Sequence, residues 1–436
     1  MEEFFYRLIQ AIGTYLNTKI MNFLLRFVRR LLPKKCRSWL GKKRDDLLIW
    51  HWKFRWWKKR RFRPLELPGK KGVLLVGYPR GEFGIGSLLR LPALAFKEAE
   101  IPFGVFDFNP SSQASQNDNR LDEWLTHLPE YSVNIFCIGA DQLPLLKKIL
   151  GKQFFQGRHN ILYGAWELSR LPEQLTVCLE GINEIWAMSS FMGQMFRRST
   201  SLPVHDLQLP IVTYQLESIC RTQFQIPENN FVFLFMFDFD SHVARKNPDA
   251  VIEAFKLAFP GPSSIPVTLV IKSINSERHE KEWSCLKNKM DGDSRILQIH
   301  EVLPHSENTA LMQCCDCYVS LHRSEGFGLT LAESMLMGKP VITTGYSGNM
   351  DFTNPETALL VDYKLVQVQP GDYPFSRGEM WAEPNVQQAC EYMRELVEDS
   401  TFARPLAQNG VELIRNSFST TSMGKRYKKR LSTLLM

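Results

Sequence analysis

The chain has 436 residues, 44% hydrophobic and 23% charged, too long for one core and too apolar for disorder, so two packed domains are expected. The net charge of +7 sits in one arm: residues 1 to 64 carry 18 Lys/Arg against 4 Asp/Glu, leaving an acidic remainder of 35 Lys/Arg against 42 Asp/Glu. The nine cysteines fall at uneven spacings, which argues against a disulfide framework and fits a reducing cytosol.

In the arm, Phe5, Leu8, Ile9, Ile12, Leu16, Ile20, Phe23, Leu24, Phe27 and Leu31 recur at helical spacing, predicting one apolar face. Arg7, Lys19, Arg26, Arg29 and Arg30 interrupt every apolar run before the roughly 20 uncharged residues a spanning helix needs. Trp52, Trp56 and Trp57 then alternate with Lys and Arg in HWKFRWWKKRRFR, a mixture suited to the headgroup layer of an anionic bilayer. The expectation is a peripheral helix on the cytoplasmic face of a membrane. A partner-protein helix, a solvated charge run and a nucleic-acid patch are the alternatives, and nucleic acid is not expected as a partner. No small-residue cleavage site follows, so the stretch does not read as a signal peptide.

Beyond the arm, the apolar run Val73 to Val76 leads into YPRGEFGIGSLLR, a strand, a glycine loop and a helix, the opening unit of a parallel sheet. VNIFCIG, HNILYGAW and INEIWAMS continue the alternation, predicting a doubly wound α/β domain over 65–225. A second series over 226–410 runs from NNFVFLFMFDF through VTLVIKS, RILQIHEVL, CYVSLH, KPVITTGYS and ALLVDY, with RTQFQIPEN as the linker and 411–436 as a helix returning across the interface. Two such domains leave a cleft, and ligands bind beyond the carboxyl ends of the strands.

Three stretches bear chemistry. In SHVARKNPDAVIEAF, Asn247 reads as an N-cap and Pro248 as the first helical residue, which brings Arg245 and Lys246 to a helix start suited to a diphosphate. In EGFGLTLAE, Glu325 lies in a turn and Glu333 in the following helix, and Gly326 and Gly328 let backbone amides approach a ligand. Ionised carboxylates accept hydrogen bonds only, which suits sugar hydroxyls. The third stretch, Cys314, Cys315 and Cys317 with His300 and His305, lacks the usual zinc spacer and reads as core packing.

The Glu-seven-residues-Glu pattern of Glu325 and Glu333, followed by MGKPVITT, resembles the retaining nucleotide-sugar glycosyltransferases of family 4, which have the GT-B architecture. YPRGEFGIGSLLR, YGAWELSRLP, EIWAMSSF, RKNP, LVIKS, GYSGNMDF and WAEP follow the same order over roughly residues 70 to 430. The resemblance implies that Glu325 contacts the donor sugar, Glu333 accepts the ribose hydroxyls, and Arg245 and Lys246 neutralise the diphosphate without a metal or other cofactor. It also implies that Gly326, Phe327, Gly328 and Leu329 offer amides to the donor, that Gly84 and Gly86 let the first domain close over the diphosphate, and that Lys272 lies near the base or phosphate. The family's acceptor-side histidine is replaced here by Trp166 and Glu167, with Glu167 either taking a polar role or capping the next turn. The implied reaction is sugar transfer to a glycan or lipid-linked acceptor. Epimerisation on the same fold and a silent glycan-binding scaffold are the rivals.

Overall fold

The computed structural model describes residues 70–109, 115–212, 221–261, 265–399 and 401–435. The basic arm of residues 1–64, with its expected membrane helix, lies outside the described residues.

Strand β1 (Lys70–Gly77) is buried on both faces from Gly72 onward, as a Val-Leu-Leu-Val run requires when helices cover both sides of a parallel sheet. It is followed by helix α1 (Gly84–Glu98), β2 (Phe103–Asp107), β3 (Tyr131–Gly139), α2 (Leu143–Leu150), β4 (His159–Ala165), β5 (Glu184–Ala187), α3 (Ser190–Ser199) and β6 (Val204–Asp206). The strands pair in parallel in the order β2-β1-β3-β4-β5-β6.

The second domain repeats the plan. Its elements are β7 (Phe231–Asp238), α4 (Pro248–Ala258), β8 (Val267–Ile274), α5 (Glu280–Met290), β9 (Ile296–Ile299), α6 (His305–Cys314), β10 (Cys317–Ser320), α7 (Leu329–Leu336), β11 (Val341–Thr344) and β12 (Leu359–Val361). The sheet order is β12-β11-β10-β7-β8-β9, again parallel. An antiparallel hairpin, β13 (Tyr363–Gln367) and β14 (Met380–Pro384), is added beside it, and α8 (Val386–Glu398), α9 (Arg404–Ser417) and α10 (Thr420–Ser432) end the chain. The alternating FVFLFMFDF run explains how β7 serves two interiors: Phe233, Phe235 and Phe237 pack with Phe255 of α4 in one core, while Val232 and Leu234 enter the other.

Strand order reverses between β1 and β3 in the first sheet and between β7 and β10 in the second. Both reversals open a crevice at the carboxyl ends of the strands. The two crevices share one cavity, lined by Phe83, Gly84 and Asp141 from one domain and by Lys246 and Glu325 from the other. This is the pair of doubly wound domains facing a cleft that the motifs implied.

The chain crosses between domains twice at one place, where the Ile211 amide donates to the Phe418 carbonyl at 2.7 Å and Ile211 bridges Ser419. The RTQFQ segment expected as linker is itself anchored to the second domain: Arg221 donates to Cys314 O at 2.9 Å and pairs with Asp316 at 2.7 Å. Helix α10 packs on the first domain through Met423, Tyr427 and Leu431, all buried and four residues apart. The Tyr427 ring stacks on Trp186 at 5.5 Å and meets Phe96 edge-on, and its hydroxyl donates to Gln208 O at 2.7 Å.

Candidate active site

The cavity between the domains has a volume of about 630 Å³, within the range of pockets that enclose a small organic ligand. At its centre stands Glu325, in the loop after β10. Burial alone would raise its carboxyl, but Lys246, Arg245 and His322 hold it down at about 2. Lys246 donates to it directly, and Arg245 lies 3.2 Å away while also donating to Ser324 O at 2.8 Å. Burial likewise pulls the Lys246 ammonium below its usual value, against the attraction of Glu325. Arg245 and Lys246 thus sit beside the carboxylate the sequence singled out, 80 and 79 residues away in the chain.

They reach it by a different local route from the one expected. Arg245 and Lys246 belong to a single helical turn, Val243–Lys246, and Asn247 that follows is left-handed, with φ of 54° and ψ of 53°. Asn247 makes no side-chain cap to α4; its amide donates instead to Leu321 O at 3.0 Å, tying the basic turn to the end of β10. The cap reading of Asn247 is therefore corrected: the left-handed kink aims the cations, and the side chain braces two loops.

Glu333 and Lys272 line the same cavity. Burial raises the Glu333 carboxyl to about 7, opposed by Arg120, and it has no hydrogen-bond or ion-pair partner among the described residues. Burial lowers the Lys272 ammonium to about 8 against Asp238 and Glu301, and no hydrogen bond holds it among the described residues. Gly328 precedes α7 with φ of 93°, a conformation that favours glycine. Leu329 then begins the helix, whose first amides have no partner within it, and both residues line the cavity. Phe327 lines it too, but its ring packs on Phe352 at 5.1 Å and near Phe418, so only its backbone suits a polar ligand. Gly326 turns its carbonyl to the first domain, accepting from the Ser189 hydroxyl at 2.7 Å.

On the first domain, Gly84 opens α1 and lines the cavity with open space where a Cβ would stand. Gly86 is buried, and a Cβ there would collide with the Gly81 carbonyl and Arg90. Gly86 does not line the cavity, and its missing side chain serves the packing of the loop that Gly84 exposes. Trp166 is buried against Tyr373, with centroids 5.4 Å apart, and donates from its indole to Arg170 O at 2.9 Å. Glu167 makes no turn cap. Its carboxylate accepts from the Tyr373 hydroxyl and lies 3.8 Å from Arg245, across the interface from Glu325.

Several cavity groups escaped sequence reasoning. Tyr373 lies between β13 and β14, in a segment that carries no recognisable motif, and its ring approaches His242 at 4.6 Å. Arg120 pairs with Asp118 at 2.7 Å, and Asp118 also meets Arg90 at 2.9 Å. Outside the cavity lining, Asp351 links the two domains, accepting from the Ser190 amide at 2.9 Å and the Gln208 side chain at 2.8 Å. Arg90, His242 and Asp351 fell in quoted stretches, YPRGEFGIGSLLR, SHVARKNPDAVIEAF and GYSGNMDF, but nothing in their spacing showed these contacts. The three cysteines Cys314, Cys315 and Cys317 are buried, and no group of three or more metal-ligating side chains is assembled among the described residues.

Residues 219–412 match the family model described as glycosyl transferases group 1. Among solved structures, Anabaena Alr3699/HepE in complex with UDP and glucose superposes with a TM-score of 0.57 at 16% identity, over 83% of this chain and 100% of that one. Sucrose-phosphate synthase from Thermosynechococcus elongatus gives 0.60 at 15%, covering 83% and 99%, and the lipopolysaccharide outer core galactosyltransferase WaaB gives 0.54 at 13%, again covering 83% and 99%. No curated protein matches the chain in sequence. The match to group 1 glycosyl transferases thus falls on residues 219–412, in a chain with the GT-B fold.

Proposed function

We propose that this chain is a retaining glycosyltransferase of family 4 that moves a sugar from a nucleotide-diphosphate sugar to a glycan or lipid-linked saccharide at a membrane surface. The observation that carries the reading is the convergence of Arg245, Lys246 and Lys272 with Glu325, Glu333 and the start of α7 on one interdomain cavity. Fixed cations and helix-start amides there stabilise a departing diphosphate. The HepE structures contain UDP with glucose and UDP-glucose, which supports a nucleotide-sugar donor. Glu333 accepts the ribose hydroxyls, Lys272 holds phosphate or base, and Glu325 supports charge near the anomeric carbon.

Rate acceleration comes from holding an acceptor hydroxyl against the anomeric carbon inside a closed cleft that excludes water. In front-face attack the acceptor oxygen bonds the anomeric carbon as the bond to the diphosphate breaks, and a leaving phosphate oxygen takes the acceptor's proton. The neutralisation by Arg245 and Lys246 is the part a metal supplies in other transferases.

A panel of nucleotide sugars, scored by the rise in melting temperature, tests the donor site. Release of free nucleotide only in the presence of a saccharide acceptor distinguishes transfer from epimerisation. Absence of stabilisation by every nucleotide sugar would reject the reading. Peripheral membrane attachment is assigned to residues 1–64; no described helix is long and apolar enough to cross a membrane. Deleting residues 1–64 is expected to release the protein from anionic vesicles, and undiminished sedimentation of the truncated form would refute that assignment.

A further inference from the structure

The two walls of the cavity differ in charge. The second domain balances four lining cations against four carboxylates, whereas the first-domain wall sets Glu82, Asp118, Asp141 and Glu167 against Arg90 and Arg120 alone. Asp141 lines this wall, where desolvation of its carboxyl and the nearby charge of Glu167 favour the protonated form. Apolar surface stands among these groups: Phe83 and Ile85 are half-buried at the start of α1 and line the same wall. The cations around it are engaged: Arg90 and Arg120 share Asp118, Arg245 and Lys246 are held by Glu325, and Arg245 lies beside Glu167 as well.

We infer that this wall, the acceptor side under the transferase reading, takes an uncharged saccharide terminus and excludes sugars that carry a carboxylate or phosphate on the reacting unit. The inference rests on the transferase reading and deepens it. Carboxylates accept hydrogen bonds and donate none when ionised, so they match hydroxyl groups. The C–H face of a pyranose fits the Phe83 and Ile85 surface. An anionic sugar brought to the same place meets like charges in a partly desolvated cleft, the arrangement by which proteins reject wrong partners.

The test uses the full chain saturated with whichever nucleoside diphosphate raises its melting temperature most. Saturation-transfer NMR then compares p-nitrophenyl hexosides with p-nitrophenyl glucuronides and hexose 6-phosphates. Hexosides are expected to bind at least about tenfold more tightly than the anionic sugars, and Asp141→Asn to narrow that ratio by about threefold or more. Stabilisation of Asp141→Asn by the nucleotide stays as in the parent chain, which separates a subsite role from a folding defect. Glucuronides that bind as well as hexosides, or no binding of any hexoside, would overturn the inference while leaving the donor site intact. If no nucleotide stabilises the chain, the transferase reading and this inference fall together.

Discussion

Donor affinity is expected to peak between pH 7 and 8 because two unpaired groups lining the cleft have been shifted toward neutral pH from opposite sides. Burial raises Glu333 to about 7 and lowers Lys272 to about 8. The carboxylate must be ionised to accept ribose hydroxyls from both oxygens, and the amine must be protonated to hold phosphate. One unit below the first value only about one Glu333 in eleven is ionised, and one unit above the second about one Lys272 in eleven is protonated. Binding should therefore weaken by about tenfold per unit on each flank. Without donor the signs run the other way. A carboxyl raised above 4.5 favours the folded state most below that value and loses this contribution as pH climbs through about 7; an amine lowered from 10.5 favours it most at high pH and loses this as pH falls through about 8. At neutral pH both groups are thus held in charge states their burial disfavours, and a donor touching both relieves them together. Calorimetric titration with a nucleotide sugar, whose diphosphate does not ionise further in this range, reads the profile. Glu333→Gln should remove the acid flank, and Lys272→Arg the alkaline one, since guanidinium stays protonated. A flat profile in the parent chain, or both flanks surviving in both variants, would refute the assignment.

Lys246→Ala should lower turnover by about 100- to 1,000-fold, as loss of a fixed donor to developing charge does elsewhere, read in a coupled nucleotide-release assay. The same variant should lower the melting temperature at pH 7 but much less near about pH 2, because the Glu325 contribution is present above 4.5 and is lost as its carboxyl protonates through about 2. Gly86→Ala should cost about 1–3 kcal/mol through overpacking against Gly81, measured by urea denaturation, while the folded fraction binds nucleotide as the parent does. Tyr427→Ala, which empties a site between Phe96 and Trp186, should cost about 3–5 kcal/mol, and Tyr427→Phe less, about 1–3, for the partners its hydroxyl leaves.

The strands were legible because parallel sheets covered on both sides demand short uninterrupted apolar runs, and β1, β3, β7 and β8 have them. Strand β6 (Val204–Asp206) has three residues and no fully buried one, so no hydrophobic pattern could announce it. The β13–β14 hairpin escaped for a related reason: the burial along β13 does not alternate cleanly. At the site, Glu325, Glu333, Arg245, Lys246 and Lys272 were readable since each sits at a strand's carboxyl end or a helix start. Tyr373, Arg120 and Asp351 depend on how two domains meet, and sequence spacing contains no record of that. Gly86 and Phe327 show what a motif leaves open: it identifies a loop, but packing decides which of its side chains turn inward.

The closing helix of the chain completes the domain that was made first. While Tyr427 is still inside the ribosome, Trp186 and Phe96 lack the ring that covers them, so the amino-terminal half emerges with an open seam and is sealed only after Tyr427 has followed it out. A chain cut short before Tyr427 thus carries its lesion in the half synthesised earliest, and ribosome stalling ahead of that codon would yield a product whose defect lies hundreds of residues upstream.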